Sequence, residues 1–214
     1  MIDPPHRQNN MNENQTSIDT FIDMDELNQL QQQTRAHLVE HRCGAYTFND
    51  GEGLMRIVSQ YVVANQLNKA PRILELGCAL GYSAACMASA SSNALIDSIE
   101  MDDTHVMLAR QNLMQLGLHE RVNVHQGQFD AVMPNLVKGY DAVFFDGFAP
   151  HLNVLQQIYH LLNPNGILIF ANLGLLGLGH GEDLRALNRE LNHTERWRKL
   201  DSIEHHSTQV LRRT

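Results

Sequence analysis

Between Arg72 and Ala171 the chain alternates short apolar runs with stretches whose apolar residues recur at three- and four-residue steps. RILEL (72–76) reads as a buried strand, and ALIDSIE (94–100), VNVH (122–125), YDAVFFD (140–146) and GILIFA (166–171) read as further strands. Between them, SAACMASA (83–90) reads as a tightly packed helix, and Asp103 as the cap of a helix running to Leu116. A short helix ends near Val137, VLQQIYHLL (154–162) forms the next, and NPNG turns the chain into the fifth strand. This alternation predicts a doubly wound, mostly parallel α/β sheet with helices on both faces.

The flanks differ from this centre. Residues 1–18 are rich in Asn, Gln and Pro, have little to bury, and read as a disordered tail before a single domain spanning 19–214. Met24, Leu27, Leu30, Thr34 and Leu38 line one face of a first helix. Leu54, Ile57, Val58, Tyr61 and Val62 line a second, with Asn49 and Glu52 at the spacing of a capping box. The helices of 19–65 are assigned to the acceptor side. After a helix around Glu182–Leu191, RWRKLDSI and TQVLRR flank EHHS and predict a C-terminal antiparallel hairpin.

Composition narrows the classes. The 214 residues and 43% hydrophobic content suit one sizeable domain. No apolar run approaches the ~18 residues of a membrane span, and the N-terminus lacks the basic start of a secretory signal, so a cytoplasmic address and no membrane partner are expected. A net charge of −8 without a basic stripe argues against nucleic acid as a partner. Cys43, Cys78 and Cys86 have no paired spacing and read as reduced thiols. The twelve histidines read as scattered, with no grouping that suggests a structural metal site. A homodimer is compatible with all of this.

The densest chemistry lies in RILELGCALGYSAACMA. Gly77 and Gly81 fall between the first strand and the next helix, at the carboxyl edge where doubly wound sheets bind ligands. Their spacing is not the Gly-x-Gly-x-x-Gly of a pyrophosphate cradle, and Glu75 just before them would repel a pyrophosphate but can accept from an ammonium group. Glu100, at the end of the second strand and 19 positions after Gly81, can accept from both hydroxyls of a ribose. The thioether of Met101 suits an adenine face. Asp146 adds a third carboxylate at the end of the fourth strand.

Together, ELGCALGYSAACMA, SIEMDDTHVMLARQNLMQLGLHERVNVHQG and YDAVFFD resemble the catechol and caffeoyl-CoA O-methyltransferase group of class I S-adenosylmethionine-dependent methyltransferases, over roughly residues 45–172. The resemblance implies a Rossmann-like, seven-stranded fold and S-adenosylmethionine as cofactor. It implies that Gly77 and Gly81 shape the methionine pocket, with Glu75, Tyr82 and Ser83 around its amino and carboxylate groups. Glu100 is then the ribose ligand and Met101 the adenine platform. Phe129 and Asp130, after Gly127, fall at the adenine edge, Phe148 at an aromatic position beside it, and Asp146 near the methionine ammonium. YTFNDGEG (46–53) matches an entry segment that closes over the methionine end.

Two positions depart from the group. Its divalent cation is held by the aspartate after strand four and an Asp-Asn pair after strand five; here Asp146 and Asn172 remain, but Ala171 replaces the second aspartate. Its lysine is Ala149. A hard dication wants about six oxygens, so no metal is expected. Proton removal from an acceptor hydroxyl then falls to a histidine: His151 in FAPHLNV, or His180 in LGLLGLGHGED, a loop that also has the composition of a lid. The expected activity is O-methylation of a small molecule. A tRNA-modifying methyltransferase, an aminopropyltransferase and a non-catalytic cofactor-binding subunit stay open as alternatives.

Overall fold

The computed structural model describes residues 22–65, 69–147, 150–171, 173 and 182–214. The expected tail over 1–18 lies outside them. The strands are β1 (Arg72–Leu76), β2 (Leu95–Glu100), β3 (Val122–Gln126), β4 (Tyr140–Phe145), β5 (Leu162–Phe170), β6 (Trp197–Ile203) and β7 (Thr208–Arg213). They form one sheet in the order β3-β2-β1-β4-β5-β7-β6. Pairings from β3 through β5 are parallel, and β7 joins β5 and β6 antiparallel, which realises the doubly wound sheet with its terminal hairpin.

The described helices are α1 (Met24–His41), α2 (Gly51–Tyr61), α3 (Tyr82–Ser89), α4 (Asp103–Gln115), α5 (Phe129–Val132), α6 (Leu152–Leu161) and α7 (Glu182–Leu191). Alternation along each strand sends successive side chains to opposite faces. Ile73, Ala142, Phe144 and Ile169 meet α1–α4 on one face, while Leu74, Leu76, Val143, Phe145 and Phe170 meet α6 and α7 on the other. All six residues of β4 are buried, because the strand is covered on both faces. Small residues let α3 lie close to the sheet: Ala84, Ala85 and Ala88 are fully buried.

Four local expectations change. Asp102, not Asp103, caps α4, its carboxylate accepting from the His105 amide at 3.0 Å. Asp50, not Asn49, caps α2 by accepting from the Gly53 amide at 2.9 Å. A cap needs a side-chain oxygen aimed back at the first-turn amides, and sequence spacing cannot choose between adjacent residues that both carry one. The NPNG segment is not a turn before β5 but part of it: the strand starts at Leu162, with an irregularity in pairing and Asn165 in the left-handed region at φ 66°. On α1, Met24 is exposed while the polar Gln31 and Thr34 are buried. Gln31 is satisfied there by donating to the Phe48 carbonyl at 2.9 Å, and Thr34 by donating to Leu30.

Candidate functional site

The carboxyl ends of β1, β2 and β4 meet at one edge, and the loops leaving them hold most of the singled-out residues. Gly77 leaves β1 with φ 101° and donates its amide to Ile99 at 3.0 Å. A Cβ there would lie 3.2 Å from the backbone of Asp146 and Gly147, so only glycine lets the β1 and β4 exits pass this closely. Gly81, φ 94°, opens α3 where a Cβ would come within 3.3 Å of Leu113 on α4. Ala79 lies between them at φ 44°, a strained conformation for a residue with a Cβ.

Glu100 is the hub that holds this loop. Its carboxylate accepts from the Ala79 amide at 2.8 Å, and from the amides of Met101 and Asp102 at 2.8 and 3.0 Å. A carboxylate has about four acceptor positions, so capacity remains for one further donor. Met101 follows with its side chain in solvent, 63% exposed, which is unusual for an apolar residue beside a sheet edge. Asn112 of α4 donates to the Leu80 carbonyl at 3.0 Å and braces the loop from the other side.

Glu75 lies beneath the loop rather than in it. It is wholly buried and accepts from the hydroxyls of Ser83, at 2.5 Å, and Ser98. Burial pushes its carboxyl up from 4.5 to about 7, with the negative Glu100 adding to the shift and the two hydroxyls opposing it. Ser83 is therefore engaged inward, toward Glu75. Tyr82 is also buried; its hydroxyl lies against Gly51, where a Cβ would sit 2.2 Å from it, and burial beside Cys86 raises its phenol far above the ordinary value. The YTFNDGEG segment passes over this point, with Phe48 packed edge-on to Phe144 at 5.1 Å between ring centres.

On the other side of the edge, Gly127 donates its amide to the Glu100 carbonyl at 2.9 Å and leads into α5. Phe129 is half-buried, its ring lying over Gly147 and edge-on to Phe145 at 6.0 Å. Asp130 turns toward α6: one oxygen accepts from Asn153 at 3.0 Å and Gln157 at 2.8 Å, and the other lies 3.4 Å from Nε2 of His151. His151 occupies the N-cap position of α6 and is about half exposed. Asp146, half-buried, follows β4 and donates its amide to the Leu76 carbonyl at 3.0 Å. Ala171 is buried in the apolar cluster, its amide tied to Phe145 at 2.9 Å. Phe148 and His180, with Ala149, Asn172 and the lid-like segment 174–181, lie outside the described residues.

Residues 74–173 match the family model of a methyltransferase domain. Among curated proteins, a catechol O-methyltransferase of Niastella koreensis is 31% identical over 114 residues, covering 50% of this chain and 52% of that protein. A catechol O-methyltransferase of Mycobacterium tuberculosis is 28% identical over 130 residues, covering 58% and 59%. This chain thus spans little more than half the length of either relative. Among solved structures, a methyltransferase of Podospora anserina bound to S-adenosylhomocysteine superposes with a TM-score of 0.70 at 20% identity, over 88% of this chain and 87% of that one. An O-methyltransferase of Bacillus cereus, also in complex with S-adenosylhomocysteine, gives 0.68 at 20% identity over 90% and 92%. These likenesses show that the chain shares the fold of these two methyltransferases.

Several residues that organise this domain carry no sequence signal. Ala79 has no composition reason to be left-handed, and Ser98 reads as a strand filler until its hydroxyl is found on Glu75. The histidines are less scattered than they read: His37 and His41 are four apart on α1, and folding brings His37 and Cys43 to His105. Of the cysteines, Cys78 and Cys86 are buried, Cys43 is half-buried, and all three are free. No described helix is long and apolar enough to cross a membrane.

Proposed function

We propose that this protein transfers the methyl group of S-adenosylmethionine to an oxygen of a small molecule, with no divalent cation at the transfer point. The observation that carries this reading is Glu100: a carboxylate pinned by three backbone amides at the end of β2, with acceptor capacity left and an exposed methionine beside it. The edge is drawn tight for such a ligand, because Gly77 lets the β1 exit close on the Asp146–Gly147 backbone, where a Cβ would come within 3.2 Å. The names of the curated relatives and of the ligand-bound structural neighbours point the same way.

In this reading Glu100 accepts from one ribose hydroxyl through its remaining acceptor position and Met101 lies on the adenine, with Gly127, Phe129 and Phe148 around the purine. Asp130, which reaches α6, acts at the adenine edge only through its remaining acceptor capacity. Gly77 and Gly81 bring backbone amides close to the methionine end. Glu75 supports that end from below, through Ser83 and the loop, and Tyr82 packs beneath the entry segment. Asp146 balances positive charge. When bound, S-adenosylmethionine supplies a methyl on a positive sulfur that is already a good leaving group, so the protein contributes alignment, exclusion of water and proton handling.

Proton handling is assigned to His151 or His180. For His151, the Asp130 carboxylate near Nε2 favours a proton on that nitrogen and leaves Nδ1 free to accept one from an acceptor hydroxyl. A metal at Asp146 is disfavoured by the donors around it. The position that carries the group's second aspartate is a buried alanine in an apolar cluster, and a dication needs about six oxygens. Small-molecule substrates suit the acidic chain better than a polyanionic nucleic acid.

The test is thermal unfolding with S-adenosylmethionine, S-adenosylhomocysteine or NAD. A hundredfold excess over the dissociation constant adds about 2.7 kcal/mol, so the first two should raise Tm and NAD should not. Stabilisation by NAD alone overturns the cofactor. Binding without methyl transfer to any of a panel of hydroxylated small molecules would favour a non-catalytic subunit instead.

A further inference from the structure

A second group of donors lies behind the cofactor edge, outside the machinery assigned above. His37 comes from α1, Cys43 from the connection to α2 and His105 from the first turn of α4; one ligand atom of each lies within 4.8 Å of the others. Their types are informative. Two imidazoles and a thiol form a borderline-soft set that suits zinc, whereas magnesium or calcium would want oxygens.

We propose that His37, Cys43 and His105 bind a zinc ion that ties the first helix to the helix following Glu100. Bond lengths of about 2.0–2.3 Å in a tetrahedron place neighbouring ligand atoms roughly 3.3–3.8 Å apart, so the cluster closes by about 1 Å. His37 and Cys43 are only half-buried and can turn by that amount, while buried His105 serves as the anchor. Metal-bound imidazoles commonly place a carboxylate on their second nitrogen. For His105 the carboxylate at hand is Glu100, 3.9 Å from Nδ1, a gap that a small shift of the ring would have to shorten.

His41, one helical turn after His37 and with its ring centre 4.3 Å away, is the candidate for the fourth position. Glu40, Glu100 and Asp102 surround the imidazoles with negative charge, which favours a dication. The site is separate from Asp146 and stands whether or not the protein transfers methyl groups.

The experiment uses full-length, tag-free protein stripped of metal. It is titrated with Zn²⁺ against a chromophoric chelator and, separately, with Co²⁺ while absorption is followed. The expected result is one ion per chain, a thiolate-to-cobalt charge-transfer band, and protection of Cys43 from a thiol reagent by zinc. Cys43→Ser should abolish the band, and His37→Gln should weaken zinc binding by at least about tenfold. Circular dichroism and cofactor binding, which neither residue contacts, report that both variants are folded. Absence of stoichiometric uptake overturns the site, as does uptake that is unchanged in both variants.

Discussion

The two halves of the sheet's carboxyl edge are built differently. Around β1 and β2, charged groups are locked: Glu100 takes three backbone amides, Glu75 two hydroxyls, and Gly77 leaves no room for a side chain. Around β4 and β5, Ala171 fills with hydrocarbon a position where the resembled group has a carboxylate, and His151 stands half exposed with Asp130 beside it. A preorganised half can recognise the same cofactor in any relative, because its geometry does not depend on the acceptor. The other half can change with the substrate without disturbing the first. The difference explains why the resemblance is clearest for the cofactor and weakest for the chemistry.

The largest expected effect is on the β4 side. If His151 takes the acceptor proton, His151→Ala should lower kcat by about 10²–10⁴-fold while leaving the dissociation constant of S-adenosylhomocysteine in place. An unchanged kcat would move the role to His180. Asp130→Asn should lower kcat less, because the imidazole loses only the carboxylate that orients it at 3.4 Å.

On the β1 side the next effect is one of stability. The unfolded chain loses the Glu75 proton near its ordinary 4.5, while the folded chain keeps it to about pH 7. Between those values the folded state binds more protons, so stability falls as pH rises, by up to about 3 kcal/mol. Urea unfolding across this range should show that decline in the native protein and a flatter profile in Glu75→Gln. Equal slopes would mean that Glu75 ionises normally despite its burial.

Glu100→Ala should weaken S-adenosylhomocysteine binding by roughly ten- to a hundredfold, from loss of a charged acceptor worth about 1.5–3 kcal/mol. It also orphans the Ala79 amide, so isothermal titration should be paired with a melting curve. A folded variant with native affinity would place Glu100 in a purely structural role.

The smallest effect expected is none. In a Cys43→Ser background, where only an ion near Asp146 would register, EDTA should leave methyl transfer unchanged and magnesium should not raise it. Restoration by magnesium of a rate lost to EDTA would reverse the contrast between the halves, with Glu182 the carboxylate to examine first.

Much of this was legible along the chain because it rests on period. Strands β1 to β4 and helix α7 fall where the apolar pattern puts them, and the Gly77–Gly81 loop and Glu100 follow from their places at strand ends. What depends on sequence-local rules stays within a residue or two: Asp102 and Asp50 replace their neighbours as caps, since adjacent capping side chains look alike until the backbone directs one of them inward.

Tertiary structure alone decided which way each polar group faces. Glu75 reads as a pocket residue, yet strand alternation sends it to the α3 side, where Ser83 and Ser98 satisfy it out of solvent. Asp130 reads as an adenine contact, yet α6 lies close enough to take its carboxylate. His37, Cys43 and His105 are separated by up to 68 positions in sequence and converge only when α1 packs beside α4. Periodicity depends on neighbours along the chain and can be read from it. The partner of a buried polar group depends on which distant element reaches it first, and that is set by packing.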